Sequence, residues 1–143
     1  MTNFPVDIVY TWVNGSDKNW LQKKNDTLKK YSNFHKKDEV SGNARFYDRD
    51  ELKYSLRSIS KFAKWIRNIF IITDNQIPEW LNLNHSKIKV IDHKDIFKNE
   101  HLPSFNSNAI ESNIHNIKEL WYIWRRKHSF ISYFKCVFKS IHF

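Results

Sequence analysis

The chain is poor in cysteine and glycine. Its 143 residues include one cysteine, Cys136, and two glycines, Gly15 and Gly42. A single thiol excludes an internal disulfide and a thiolate metal site, and it fits a reducing compartment. Two glycines exclude a glycine-rich phosphate loop and a collagen-like repeat. No apolar run approaches the ~20 residues of a membrane-spanning helix. The opening MTNFPVDIVY lacks the basic-then-apolar pattern of a signal peptide. Acidic residues are also few, 15 against 24 Lys and Arg, for a formal net charge of +9. Such a charge invites a nucleic-acid reading. However, the segment 121–143 holds five of the Lys and Arg and no Asp or Glu. The rest is only mildly basic, and no nucleic-acid partner is expected for it.

Hydrophobic residues make up 41% and aromatics 16%, which supports a core and excludes wholesale disorder. The length suits one domain. Residues 6–13, VDIVYTWV, form a short β-branched and aromatic run that reads as a buried strand. Asn14-Gly15-Ser16-Asp17 is a turn signal, with Ser16 or Asp17 able to cap a polar helix from Asp17 to Tyr31. Residues 32–43 read as a loop. Asp48 to Trp65 carries the clearest helical pattern: Leu52, Leu56, Ile59, Ala63 and Ile66 form one apolar stripe. Asp48 and Glu51 have the spacing of a capping box. Residues 67–74 and 87–93 read as two more strands, Pro78 to Leu83 as one helical turn, and Asn106 to Ile117 as a further helix. This order predicts an α/β fold with mainly parallel strands. In such sheets ligands lie beyond the carboxyl ends of the strands. Thr11–Asp17, Asp74–Gln76 and Asp92–Asp95 are therefore expected along one edge.

Each of these polar clusters also has a structural reading. Asn-Gly is a common turn, Asp74 can simply begin a turn, and Asp48 as a helix cap contributes on the order of 1 kcal/mol. Arg45 is either a surface arginine or an anion-binding group. The seven His residues are scattered, with no metal-ligand spacing, and there is no serine nucleophile elbow and no Cys/His pairing. Acidic residues near an arginine suit Mg²⁺ and a phosphate.

The string VDIVYTWVNGSD, Val6 to Asp17, resembles the opening signature of the Stealth family of sugar-phosphate transferases. RFYDRDELKYSLRSISKFAKWIRNIFIITDNQIPEWLNL, Arg45 to Leu83, resembles its second, longer signature, and the likeness continues through KVIDHKDIF and HLPSFNSNAIESNIHNI to about Leu120. The family includes bacterial capsular polysaccharide phosphotransferases and the animal lysosomal-enzyme GlcNAc-1-phosphotransferase. The resemblance implies a Rossmann-like α/β core and transfer of a hexose-1-phosphate from a nucleotide sugar, usually a UDP sugar, to an acceptor hydroxyl of a polysaccharide. It further implies Mg²⁺ or Mn²⁺ as cofactor and a cytoplasmic site of action. Within it, Asp48 is the leading candidate for base or positioning carboxylate, Arg45 for the phosphates, and Asp17 for a supporting catalytic role. Asn14, Gly15, Asp74 and Gln76 are candidates for the nucleotide sugar. Asn106, Ser107, Glu111 and His115 are candidates for the sugar or acceptor, with Glu111 and His115 expected on one helical face. Glu51 and Arg57 are assigned to structure, as cap and surface.

After Leu120 the family pattern continues into an acidic Asn-Asp-Asp motif suited to a metal, and here the sequence reads WYIWRRKHSFISYFKCVFKSIHF. Two units are therefore expected: a transferase segment over 1–120 and an atypical basic aromatic segment over 121–143. The second reads as the product of a frameshift or truncation. On this reading the chain as written is an inactive fragment. The alternative is a cationic helix, with Phe130, Phe134, Val137 and Ile141 on one face, suited to peripheral contact with the inner membrane face. A basic membrane-surface or nucleic-acid-binding module without catalysis is the competing function.

Overall fold

The computed structural model describes residues 5–31 and 46–120. Three strands form one parallel sheet: β1 (Ile8–Thr11), β2 (Ile69–Thr73) and β3 (Ile88–Asp92), side by side in that order. Ile8 lies opposite Ile69, and Ile69 opposite Ile88. Between β1 and β2 come α1 (Lys18–Tyr31) and α2 (Glu51–Phe62). After β3 come α3 (His93–Ile96), a 3-10 turn (Asn99–His101), α4 (Ser107–Ser112) and a second 3-10 turn (Ile114–Asn116). The mixed α/β architecture with a parallel sheet agrees with a Rossmann-like core.

The apolar patterns explain the layering. All five residues of β2 are buried, as a central strand covered on both faces requires. Side chains alternate across the sheet. Val9, Phe70 and Ile72 pack with Ile96, Phe97, Ile110, Ile114, Ile117 and Leu120 on one face. Tyr10, Ile69 and Ile71 pack with Leu52, Ile66 and Leu81 on the other, flanked by Leu56, Ile59 and Ala63 of the expected α2 stripe. At the amino edge of the sheet, Arg67 grips the Asp7 carboxylate with two donors, and Asn68 N–H adds a third at 3.0 Å.

Several boundaries differ from the sequence reading. The strands are shorter than 6–13, 67–74 and 87–93. On β1, regular pairing stops after Trp12 N–H reaches Ile72 O at 2.9 Å, because the next backbone groups turn to a side chain, described below. The stretch from Pro78 is a turn closed by Leu81 N–H on Pro78 O, not a helix. The helix expected over 106–117 ends at Ser112. There Asn113 N–H bonds Ile110 O, three residues back, and the Asn113 amide donates to Ala109 O, tightening the chain into the 3-10 turn. Ile110, Ile114 and Ile117 stay on the core through this change. The short α3 was not foreseen. A reciprocal capping box starts it: Asp92 accepts from Lys94 N–H while Asp95 accepts from Asp92 N–H. Among the described residues no helix is long and apolar enough to cross a membrane.

Candidate functional site

The parallel strands bring the three polar clusters to one edge, as expected. The loop after β1 is held by two neighbours. Gln76, in the loop after β2, accepts Asn14 N–H at 2.8 Å and donates to Asn14 O at 3.2 Å. An amide side chain thus does what a neighbouring strand would do, and it staples the ends of β1 and β2 together. The Asn14 side chain turns inward on its own loop and accepts Ser16 N–H at 2.9 Å. Gly15 N–H donates to Phe46 O at 2.7 Å. A Cβ on Gly15 would lie 2.2 Å from that oxygen, so glycine is required here by close approach.

The segment before α2 is thereby drawn across the end of β1. Asp48 sits in it with both oxygens engaged: Trp12 Nε1 donates to Oδ2 at 3.0 Å, and Asp50 N–H donates to Oδ1 at 3.0 Å. This corrects the expected capping box. The helix starts at Glu51, and the cap position belongs to Asp50, in the left-handed region at φ 63° with no side-chain cap bond. Glu51 reaches back to Arg49 N–H at 2.7 Å instead. Asp48 lies two residues before the cap position, and its two oxygens hold Asp50 N–H and the Trp12 indole.

Asp17 is a cap: its Oδ1 accepts Trp20 N–H at 2.7 Å and starts α1. Asp74 is buried and paired with the Lys23 ammonium of α1. Trp20 packs against Phe46 at 5.0 Å and edge-on to Phe105 at 5.3 Å, which carries Asn106 to the start of α1. Asn106 caps α4 by accepting Asn108 N–H at 3.0 Å, and Ser107 is the first helical residue. Glu111 lies in α4 and His115 in the 3-10 turn after it, its ring nitrogen 2.8 Å from Ser112 O. The expected shared helical face does not form, because the helix ends between them. Arg45 and the segment 121–143 lie outside the described residues. Arg57 is a surface residue stacked on Tyr54, as expected.

Three side chains here were not anticipated: Trp12, Lys23 and His93. Trp12 stood within the first family string, but its partner is 36 residues away. His93 is buried beside Phe97 and close enough to Asp74, Asp92 and Lys23 to feel their charges. Burial pushes its pKa below the ordinary histidine value, with the charges of Asp74 and Asp92 opposing and Lys23 assisting. The Lys24 ammonium, buried against the Phe46 ring at 4.3 Å, is likewise lowered by desolvation. Among the described residues, the Thr73 hydroxyl, His93 Nδ1 and Trp20 Nε1 are buried without a hydrogen-bond partner. Unsatisfied polar atoms thus concentrate at the carboxyl end of the sheet.

The His93 shift has a consequence for stability. Its folded pKa lies below the unfolded value, so the unfolded chain binds the extra proton as the pH falls. Stability is full above about pH 6.5 and declines below it by up to about 1.4 kcal/mol per pH unit. The melting temperature should therefore drop between pH 8 and pH 5, and drop less in His93→Gln. Identical pH dependence in the two proteins would remove His93 as the cause.

Asp17 Oδ1 accepts a cap bond, Asp74 pairs with Lys23, and each Asp48 oxygen accepts one N–H donor. Among the described residues no three His, Cys, Asp or Glu gather as a metal-binding group. The described residues do not form a Mg²⁺ cage.

Residues 4–32 match Stealth protein conserved region 1 and residues 45–138 match conserved region 2, the latter running past Leu120. A capsular polysaccharide phosphotransferase of Haemophilus influenzae is 48% identical over 121 residues, covering 83% of this chain and 32% of its own length. An exopolysaccharide phosphotransferase of Streptomyces coelicolor is 47% identical over 118 residues, covering 82% of this chain and 19% of its own. A capsular polysaccharide phosphotransferase of Aeromonas hydrophila is 43% identical over 118 residues, again 82% and 32%. The chain spans about a third or less of the length of these relatives. Matched by both conserved regions, with their two segments joined in one site through Gly15–Phe46 and Trp12–Asp48, the chain belongs to the Stealth family.

Proposed function

We propose that this chain forms part of a phosphotransferase that makes capsular or exopolysaccharide, moving a hexose-1-phosphate from a nucleotide sugar to an acceptor hydroxyl. The observation that carries the reading is the Asp48 carboxylate, held at the carboxyl end of β1 by two neutral N–H donors. Phosphotransferase is the name the similar proteins bear. In this reading the acceptor oxygen attacks the β-phosphorus of the donor, the bond to the α-phosphate oxygen breaks, and UMP leaves when the donor is a UDP sugar. Asp48 takes the hydroxyl proton or orients that hydroxyl. Each carboxylate oxygen has two acceptor positions and the protein uses one on each, so one on each remains for the substrate. The Asn14–Gly15 loop, stapled by Gln76, forms the floor on the donor side. Arg45 supplies a two-pronged phosphate contact. Asn106, Ser107, Glu111 and His115 face the sugar or acceptor. With a nucleotide sugar as donor, the reaction runs in the cytoplasm or at the inner membrane face.

The test replaces the matching segment of the Haemophilus influenzae relative with residues 1–120 of this chain. The graft is supplied with UDP-GlcNAc and a short acceptor oligosaccharide, with and without Mg²⁺. UMP release in step with a phosphodiester-linked product is expected. Release of UDP, with a glycosidic product, would overturn the reading in favour of glycosyl transfer.

A further inference from the structure

We infer that Trp12 is a positioning residue for the reactive carboxylate, an inference that rests on the role proposed above for Asp48. The geometry comes from two directions. Trp12 leaves β1 with its backbone N–H on Ile72 O at 2.9 Å, and its ring packs into the apolar cluster shared with α2. The indole therefore has little freedom, and its N–H points at Asp48 Oδ2. Asp50 N–H binds the other oxygen from the left-handed turn that starts α2. Two donors on two different oxygens stop the carboxylate from rotating. Among the described residues no Lys, Arg or His pairs with Asp48. Among the described residues its orientation is set by these two hydrogen bonds, whereas Asp74 is held by a lysine. Trp12 touches no reacting atom in this reading. It acts through Asp48.

The experiment uses Trp12→Phe, Asp48→Asn and the double variant. A fourth protein carries benzothienylalanine at position 12, which keeps the ring shape and replaces the N–H by sulfur. In the full chain, the Trp12 indole N–H resonance should move in Asp48→Asn, while those of the other tryptophans stay. In the graft described above, both changes at position 12 should lower kcat roughly 10-fold and leave donor KM within about 2-fold, because misplacing a reacting group penalises the chemical step. The double variant should be no slower than Asp48→Asn alone. A normal kcat for the benzothienyl protein beside a collapsed Asp48→Asn would overturn the role of Trp12 and leave Asp48 standing. So would a double variant slower than Asp48→Asn by the full Trp12→Phe factor. A normal Asp48→Asn would instead overturn the proposed role of Asp48, and the positioning role with it. Should Trp12→Phe melt early, the shape-preserving benzothienyl protein decides the matter.

Discussion

Asp48→Asn is expected to cost ~10²-fold or more in kcat while lowering the melting temperature by only a few degrees. The rate term follows from removing a carboxylate that accepts or orients the acceptor proton, while shape is kept. The stability term follows from the two bonds on Asp48. An asparagine amide has one oxygen and one NH₂, so it can serve Trp12 or Asp50 N–H, and it presents donor to donor at the other. One hydrogen bond at a half-buried site is worth about 1 kcal/mol. Were Asp48 a helix cap, asparagine would replace it at almost no cost, so even the small melting shift distinguishes the observed geometry from a cap. The measurements are thermal melting of the chain and transfer by the graft. Near-normal turnover would reduce Asp48 to a turn-former between β1 and α2.

The parts of this fold that were legible in the sequence are those governed by local periodicity. The apolar run around β1, the mostly apolar IFIIT of β2 and the stripe of α2 each identify an element and its place against the core. Parallel order then placed three polar clusters at one edge before any contact was known. The roles of individual groups within those clusters were not legible, because they depend on partners far along the chain. Gln76 reads as a loop residue until its amide is seen on the Asn14 backbone, 62 residues away. Lys23 reads as one lysine among many on a polar helix, yet it neutralises the buried Asp74. Asp48 and Glu51 satisfy a capping-box spacing, and a left-handed Asp50 moves the helix start past them. Asn113 is of a residue type common at helix ends, and it ends this helix earlier than the apolar pattern predicts. Its side chain competes for the Ala109 carbonyl, and that separates Glu111 from His115. The differences come from particular contacts: a distant amide on backbone, a side-chain ion pair, a left-handed residue and a local side-chain bond to a helix carbonyl.

Gly15→Ala is expected to destabilise the chain by about 3 kcal/mol, the upper part of the usual overpacking range. That corresponds to a fall of roughly 10 °C in melting temperature. The added methyl would sit 2.2 Å from Phe46 O and 2.5 Å from Phe46 Cβ, so one side must move. Phe46 cannot yield cheaply. Its ring is packed against Trp20 and the Lys24 ammonium, and its carbonyl accepts the Gly15 N–H. Gly15 cannot yield cheaply either, because Asn14 beside it is stapled to Gln76 by both backbone groups. The strain should therefore displace the 46–48 segment, which carries the candidate carboxylate. A second consequence follows: the graft bearing Gly15→Ala should lose transfer rate even at temperatures where it remains folded. Ser16→Ala is the control. Ser16 contributes its backbone N–H to Asn14 Oδ1, its side chain is exposed, and its removal should change neither melting nor rate appreciably. A melting temperature for Gly15→Ala within a degree or two of the parent would mean that the two family segments are not in the close contact on which the site depends.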